Sequence, residues 1–193
     1  DGERKFDLLI RLIEREQPQQ AIVFCRTRRG TDRVARRLKR RTQSVDCIHG
    51  DMEQPARDRV MRQFRSGDLK VLVATDVVGR GIDVTGISHI INYDLPQFCD
   101  DYVHRVGRTG RMGREGVAYS FVLPEEGNEL TRIEMRINRL LKRDEIAGFE
   151  PRLTPAEAPP AEGEQAEPEP LPKATPPPLL SGRRPPRRLR RAL

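Results

Sequence analysis

The chain has 193 residues, a formal net charge of +7 and a pI near 9.8, with 36% hydrophobic and 34% charged residues. That length suits one ordinary domain plus a tail better than two full domains. No run approaches about 18 apolar residues and no signal-peptide pattern is present, so no transmembrane helix and no membrane partner are expected, and a cytoplasmic setting is. Cys25, Cys47 and Cys99 form no CxxC pair, and an odd count argues against a disulfide framework. Cys25 and Cys47 sit in apolar runs and are read as small buried hydrophobes in a reducing compartment. The first residue is Asp1 rather than Met, as expected of a fragment, an excised domain or a processed chain.

In chain order, Phe6, Leu9, Ile10 and Ile13 recur at helical spacing and predict an amphipathic helix over 3–16. Ala21 to Cys25 is a short apolar run of buried-strand type. Thr31 is placed to cap a helix with apolar positions Val34, Ala35 and Leu38. Val45 to Ile48 predicts a second strand. Pro55 opens a helix containing Val60, Met61 and Phe64, and Ser66-Gly67 closes it. Val71 to Ala74 is the clearest buried strand, and Ile87 to Asn92 is another. Asp100 to Val106 reads as a helix, Val117 to Leu123 as a last strand, and 126–142 as a final helix. Composition changes near residue 150. Residues 151–193 hold 12 of the 16 prolines and no aromatic residue, which predicts a disordered, Pro-rich tail. That tail ends in an Arg-rich segment, Arg183 to Arg191, suited to auxiliary contact with an RNA backbone.

Strands alternating with helices across 1–150 imply a mainly parallel sheet between helices, with ligands beyond the carboxyl ends of the strands. The residues at those ends are therefore the candidates. Cys25-Arg26-Thr27-Arg28 follows the first strand and His49-Gly50-Asp51 the second. Thr75-Asp76 through Gly79-Arg80-Gly81-Ile82-Asp83 follows the third, and Asn92-Tyr93-Asp94 the fourth. Arg80 between two glycines suggests backbone held close to a ligand. The densest chemistry is His104-Arg105-Val106-Gly107-Arg108-Thr109-Gly110-Arg111. A helical turn would stack His104, Arg108 and Arg111 on one face, although Gly107 and Gly110 tend to end it. Guanidinium groups so close repel one another unless an anion answers them, and their planar fork matches phosphate oxygens. Pairing with Asp100 and Asp101 is the alternative.

These segments resemble the DEAD-box RNA helicases of superfamily 2. Ile22 to Thr27 is similar to the family's fourth motif, Gln54-Pro55-Ala56-Arg57 to its QxxR element, Val73 to Asp83 to its fifth motif, and His104 to Arg111 to the sixth, HRxGRxGR. Gly79 stands where the family often has alanine, and Pro55 sits inside QxxR. The resemblance covers about residues 3–143 and implies the C-terminal RecA-like domain, a three-layer α/β fold with a mainly parallel sheet between helices. It also implies that Arg108 and Arg111 are arginine fingers, that His104 couples the nucleotide site to a partner domain, and that Asp83 and Gly81 lie at the ATP ribose. Thr27, Gln54, Arg57, Thr75, Gly79 and Arg80 would line the path of an RNA backbone, contacted without regard to base sequence. No role for Arg105 follows.

Neither a GxxxxGK[ST] phosphate loop nor an Asp-Glu-Ala-Asp run occurs in the sequence. The family carries those in an N-terminal RecA-like domain, which would hold ATP and Mg²⁺, so the chain alone is expected to be inactive as an ATPase. Two other classes fit part of the pattern: a stand-alone RNA-binding or regulatory module, and a DNA-directed superfamily 2 helicase.

Overall fold

A computed structural model of the chain describes residues 2–42, 44–79, 82, 84, 86–110 and 115–149. The described residues belong to one unit, Asp1–Glu150, and the expected tail at 151–193 lies outside them. Among the described residues no helix is long and apolar enough to cross a membrane.

Among the described residues five strands form a single sheet: β1 (Ala21–Phe24), β2 (Val45–Ile48), β3 (Val71–Ala74), β4 (His89–Asn92) and β5 (Val117–Ser120), in the order β2-β3-β1-β4-β5. Every neighbouring pair is parallel and in register, with Phe24 opposite both Ala74 and Asn92, Ile48 opposite Ala74 and Asn92 opposite Ser120. All five carboxyl ends therefore share one edge, which parallel pairing and crossover connections require.

The central strands are apolar without alternation because both faces are covered. Side-chain period two then divides one run between two cores. Val23, Val71, Val73 and Ile91 face α1 (Gly2–Glu16) and α2 (Arg28–Lys39) through Phe6, Leu9, Leu12, Val34, Ala35 and Leu38. Ile22, Phe24, Leu72, Ala74 and Ile90 face Val60 and Phe64 of α3 (Gln54–Ser66), together with Ile82, Val84 and Ile87. A third cluster joins Leu95, Tyr102 of α5 (Cys99–Val106) and Ile133 of α6 (Gly127–Ile137). The result is the expected three-layer arrangement. Since β1 leads into one layer and β3 into the other, the sheet has a switch point between them, and in open parallel sheets ligands bind at the carboxyl edge of such a point.

Several boundaries move. Thr27, not Thr31, caps α2: its backbone is extended (φ −126°, ψ 151°) and its hydroxyl accepts from Gly30 N. Thr31 lies inside the helix, fully buried, and its Oγ1 donates to Thr27 O at 3.0 Å. The helix thus begins only three residues after β1, four residues earlier than the apolar spacing indicated. A one-turn helix, α4 (Asp76–Gly79), follows β3 without having been expected. β4 starts at His89 rather than Ile87, because Ser88 is held by Gln20 through both N–H and hydroxyl. β5 stops at Ser120, and Pro124 opens a 3₁₀ turn before α6. α6 ends at Ile137, well short of 142, on Asn138 in the left-handed region (φ 50°). Cys25 is buried as expected, but Cys47 is only half-buried, its thiol 3.6 Å from Asp32 Oδ1.

Candidate nucleotide and nucleic-acid edge

At the carboxyl edge the organising side chain is Arg105, in the last turn of α5 and 2% exposed. Its Nε and Nη2 donate to the two carboxylate oxygens of Asp76 at 2.5 and 2.8 Å. Nη1 donates to Asn92 Oδ1 at 3.0 Å and to Asp94 O at 2.7 Å, and the guanidinium lies 5.0 Å from the centre of the Phe24 ring. Asn92, itself fully buried, passes the tie on to Ser120 Oγ at 3.0 Å. One arginine thereby joins the exits of β3 and β4 to the ends of β1 and β5. Pairing a buried charge bidentately offsets the cost of removing it from water.

The exit of β1 is tied just as closely. Arg26 N donates to Asp94 Oδ2 at 3.0 Å, and Lys5 Nζ reaches Asp94 Oδ1 at 3.1 Å. Arg26 Nη2 donates to the buried Glu126 at 2.9 Å. Arg28 pairs with Asp51, which draws the loops after β1 and β2 together beside Thr27.

Among the residues expected at the site, Thr27 is exposed, with its hydroxyl committed to the helix cap at 3.0 Å. Thr75 is buried, and Gly79 closes α4. Gln54 Oε1 accepts from Arg57 at 3.2 Å, while its amide nitrogen donates to Asp58 at 2.8 Å. Arg57 Nε is buried with no hydrogen-bond partner among the described residues, the condition of a donor waiting for an acceptor. Gln54 and Arg57 share an open cleft of about 320 Å³ with Arg62, Arg65 and Ile82. Arg62 and Arg65 were not singled out in the sequence; their place on α3, five and eight residues beyond Arg57, was the available signal.

The segment after α5 does not continue as a helix. Gly107 is its C-cap, and Gly110 adopts φ 69°, a conformation that favours glycine. His104 and Arg108 are therefore not carried on one continuous helix. Arg108 folds back: its Nε donates to His104 O at 3.2 Å and its Nη1 to Ile82 O at 2.9 Å. Thr109 Oγ1 donates to Ile87 O at 2.5 Å, fixing this turn against the start of β4. Ile82 thus touches both systems, lining the cleft of Gln54 and Arg57 and receiving Arg108 on its carbonyl. His104 stands apart on the solvent side, its imidazole 4.0 Å from Asp101. Asp100 accepts from Arg136 Nε at 2.7 Å. Arg80, Gly81, Asp83 and Arg111 lie outside the described residues.

Beyond this edge, Asp32, Cys47 and His49 bring one ligand-type atom each to within 4.8 Å of one another. Asp32 Oδ1 is 3.0 Å from His49 Nε2. Burial, with Asp46 and Asp32 adding to it, pushes the Cys47 thiol up to about 11. The thiol therefore stays protonated near neutral pH.

With this geometry in hand, comparisons with known proteins point one way. Residues 4–113 match the family model described as Helicase conserved C-terminal domain. The DEAD-box ATP-dependent RNA helicase CshA of Geobacillus kaustophilus is 46% identical over 140 residues, covering 72% of this chain and 30% of that protein. The chain thus spans under a third of that relative's length. Escherichia coli DEAD-box protein SrmB, solved bound to regulator of ribonuclease activity A, superposes with a TM-score of 0.73 at 34% identity, covering 80% of this chain and 91% of that one. Saccharomyces cerevisiae Dbp5 bound to RNA and ADP BeF3 superposes with a TM-score of 0.68 at 36% identity, covering 73% and 38%.

Proposed function

Because the chain belongs to the DEAD-box RNA helicases as their C-terminal RecA-like domain, we propose that it supplies one half of an ATP-driven RNA-unwinding site. The other half would come from an N-terminal RecA-like domain of the same protein. Arg108 and Arg111 are the proposed donors to the transferring phosphoryl group, Asp83 and Gly81 the proposed neighbours of the ATP ribose, and His104 the link to the partner domain. Thr27, Gln54, Arg57, Thr75, Gly79 and Arg80 are the proposed track for the RNA backbone.

The observation that carries this reading is the Ile82 junction. A guanidinium held on Ile82 O at 2.9 Å and a cleft bearing the unpartnered Nε of Arg57 meet at one residue. A shift of that segment on RNA binding would move both. The residues of this edge fit a polyphosphate rather than a metal ion. Three of its described carboxylates, Asp76, Asp94 and Asp51, are already occupied by Arg105, by Arg26 and Lys5, and by Arg28. Mg²⁺ would accordingly be held by the partner domain, where it neutralises charge on the phosphates. Here the chain's part is orientation and charge stabilisation: Arg105 holds the strand ends in fixed relation, and Arg108 is presented from a glycine-flanked turn.

Arginine donors of this kind are worth about 10³–10⁵ in rate. In the two-domain protein, Arg108→Lys is expected to lower RNA-stimulated ATPase by about 10³-fold or more while leaving RNA affinity nearly unchanged. Unaltered turnover removes the assignment. The purified chain by itself is expected to hydrolyse Mg-ATP at the buffer rate.

A further inference from the structure

α2 carries a second basic feature that the strand-end site does not use. Arg29, Arg33, Arg36 and Arg40 are all exposed, and no ion-pair partner is found for any of them among the described residues. Their spacing places them within roughly 60° of one another around a helix of 3.6 residues per turn. They lie opposite the buried face made by Thr31, Val34, Ala35 and Leu38. Arg40 is the C-cap but keeps helical backbone angles (φ −74°, ψ −16°), so the row is continuous. At 1.5 Å rise per residue it extends about 16 Å.

The acids around this row are engaged elsewhere. Asp32, on its flank, faces His49 and the Cys47 thiol; Glu3 is taken by Arg37 and Asp46 by Lys39. The first turn of α2 holds no acidic residue. Cations there oppose the helix dipole, and like charges at i and i+4 repel. Asp32 is the one acidic residue inside α2, and its carboxylate is turned to His49 rather than to the row.

We propose that the Arg29–Arg33–Arg36–Arg40 face of α2 is a second RNA-backbone track, which takes up single-stranded RNA beyond the path lined by the strand-end residues. The proposal rests on the RNA reading above. Two features favour RNA over an acidic protein surface. First, Arg29 is two residues from Thr27 and one from Arg28, whose pairing with Asp51 marks the strand-end edge, so the row is continuous with that path. Second, the row is entirely arginine, the side chain whose fork meets phosphate bidentately.

The test uses the two-domain protein and fluorescently labelled oligouridylates, one just long enough to fill the strand-end path and one several nucleotides longer. Binding is measured across a salt series. Single-strand binding gives a log–log salt slope of about −0.7 per phosphate neutralised. The triple variant Arg33→Gln/Arg36→Gln/Arg40→Gln is expected to flatten the slope for the long RNA by about 2. Its binding of the short RNA, and the ATPase that the short RNA stimulates, should not change. The matching Arg→Lys triple should keep most of the slope. If the wild type shows its full slope and the Gln triple equals it on the long RNA, the track does not exist, while the RNA reading stands. If the wild type binds neither RNA, the RNA reading fails and the track with it. If the triple loses affinity for polyglutamate but not for RNA, the face belongs to an acidic protein partner and the proposal is overturned.

Discussion

Replacing Asp76 by alanine strips two carboxylate oxygens from Arg105 Nε and Nη2, leaving that guanidinium 2% exposed with Asn92 Oδ1 and Asp94 O as its remaining acceptors among the described residues. Removing one partner of a buried pair costs about 3–5 kcal/mol, because the other charge stays buried without compensation. Asp76 is 24% exposed, so water can reach the vacated side, and the lower end, about 3 kcal/mol, is expected. Against a total stability of about 5–15 kcal/mol this is large, and it should lower Tm by roughly 10 °C. Urea denaturation of the chain, read by circular dichroism, measures it. The decisive comparison is the double variant Asp76→Ala/Arg105→Met. Methionine fills much of the same space and carries no charge, so it should restore at least about 1 kcal/mol of what Asp76→Ala lost. If Asp76→Ala costs under about 1 kcal/mol, or if Arg105→Met deepens the loss additively, the buried-charge argument is wrong.

Further outcomes follow from the cap of α2 and from its neighbours. Thr27→Val should cost about 1 kcal/mol through loss of the bond to Gly30 N, and Thr27→Ser should retain it; equal midpoints for both variants in urea would reject the cap. Gly30→Ala should destabilise too, since a Cβ there would meet Thr27 Oγ1 at 2.9 Å. Alkaline stability has a definite sign. Burial pushes the Tyr93 phenol up to about 12, and burial with the nearby Asp46 and Asp32 pushes the Cys47 thiol up to about 11, from ordinary values of 10.0 and 9.0. Both folded values are raised, so their contribution is complete below about pH 9 and is lost as pH climbs towards 12, where the unfolded chain ionises first. Thermal melts from pH 8 to 12 should show that decline, and Tyr93→Phe with Cys47→Ser should make it shallower; an identical decline in the variant would show that other groups cause it.

Much of this protein could be read from its sequence because each strand is a short apolar run bounded by turn residues. Val71 to Ala74 needs no partner to be recognised, and parallel pairing then forces the polar residues after each strand onto one edge. His104 to Arg111, with its glycines, also declares itself by composition, since clustered guanidinium groups call for an anion. The order β2-β3-β1-β4-β5 and the division of one apolar run between two cores were decided by tertiary packing. So was the fate of Arg105. Nothing local distinguishes it from Arg108, three residues on, yet one is sealed against Asp76, Asn92 and Phe24 while the other reaches Ile82 across a loop. A side chain's neighbours along the chain fix its conformational preference, but its acceptors arrive from strand ends and exits some 11 to 29 residues away. Only the assembled sheet edge brings them into hydrogen-bonding reach, and there burial makes the paired Arg105 a strut between strand ends.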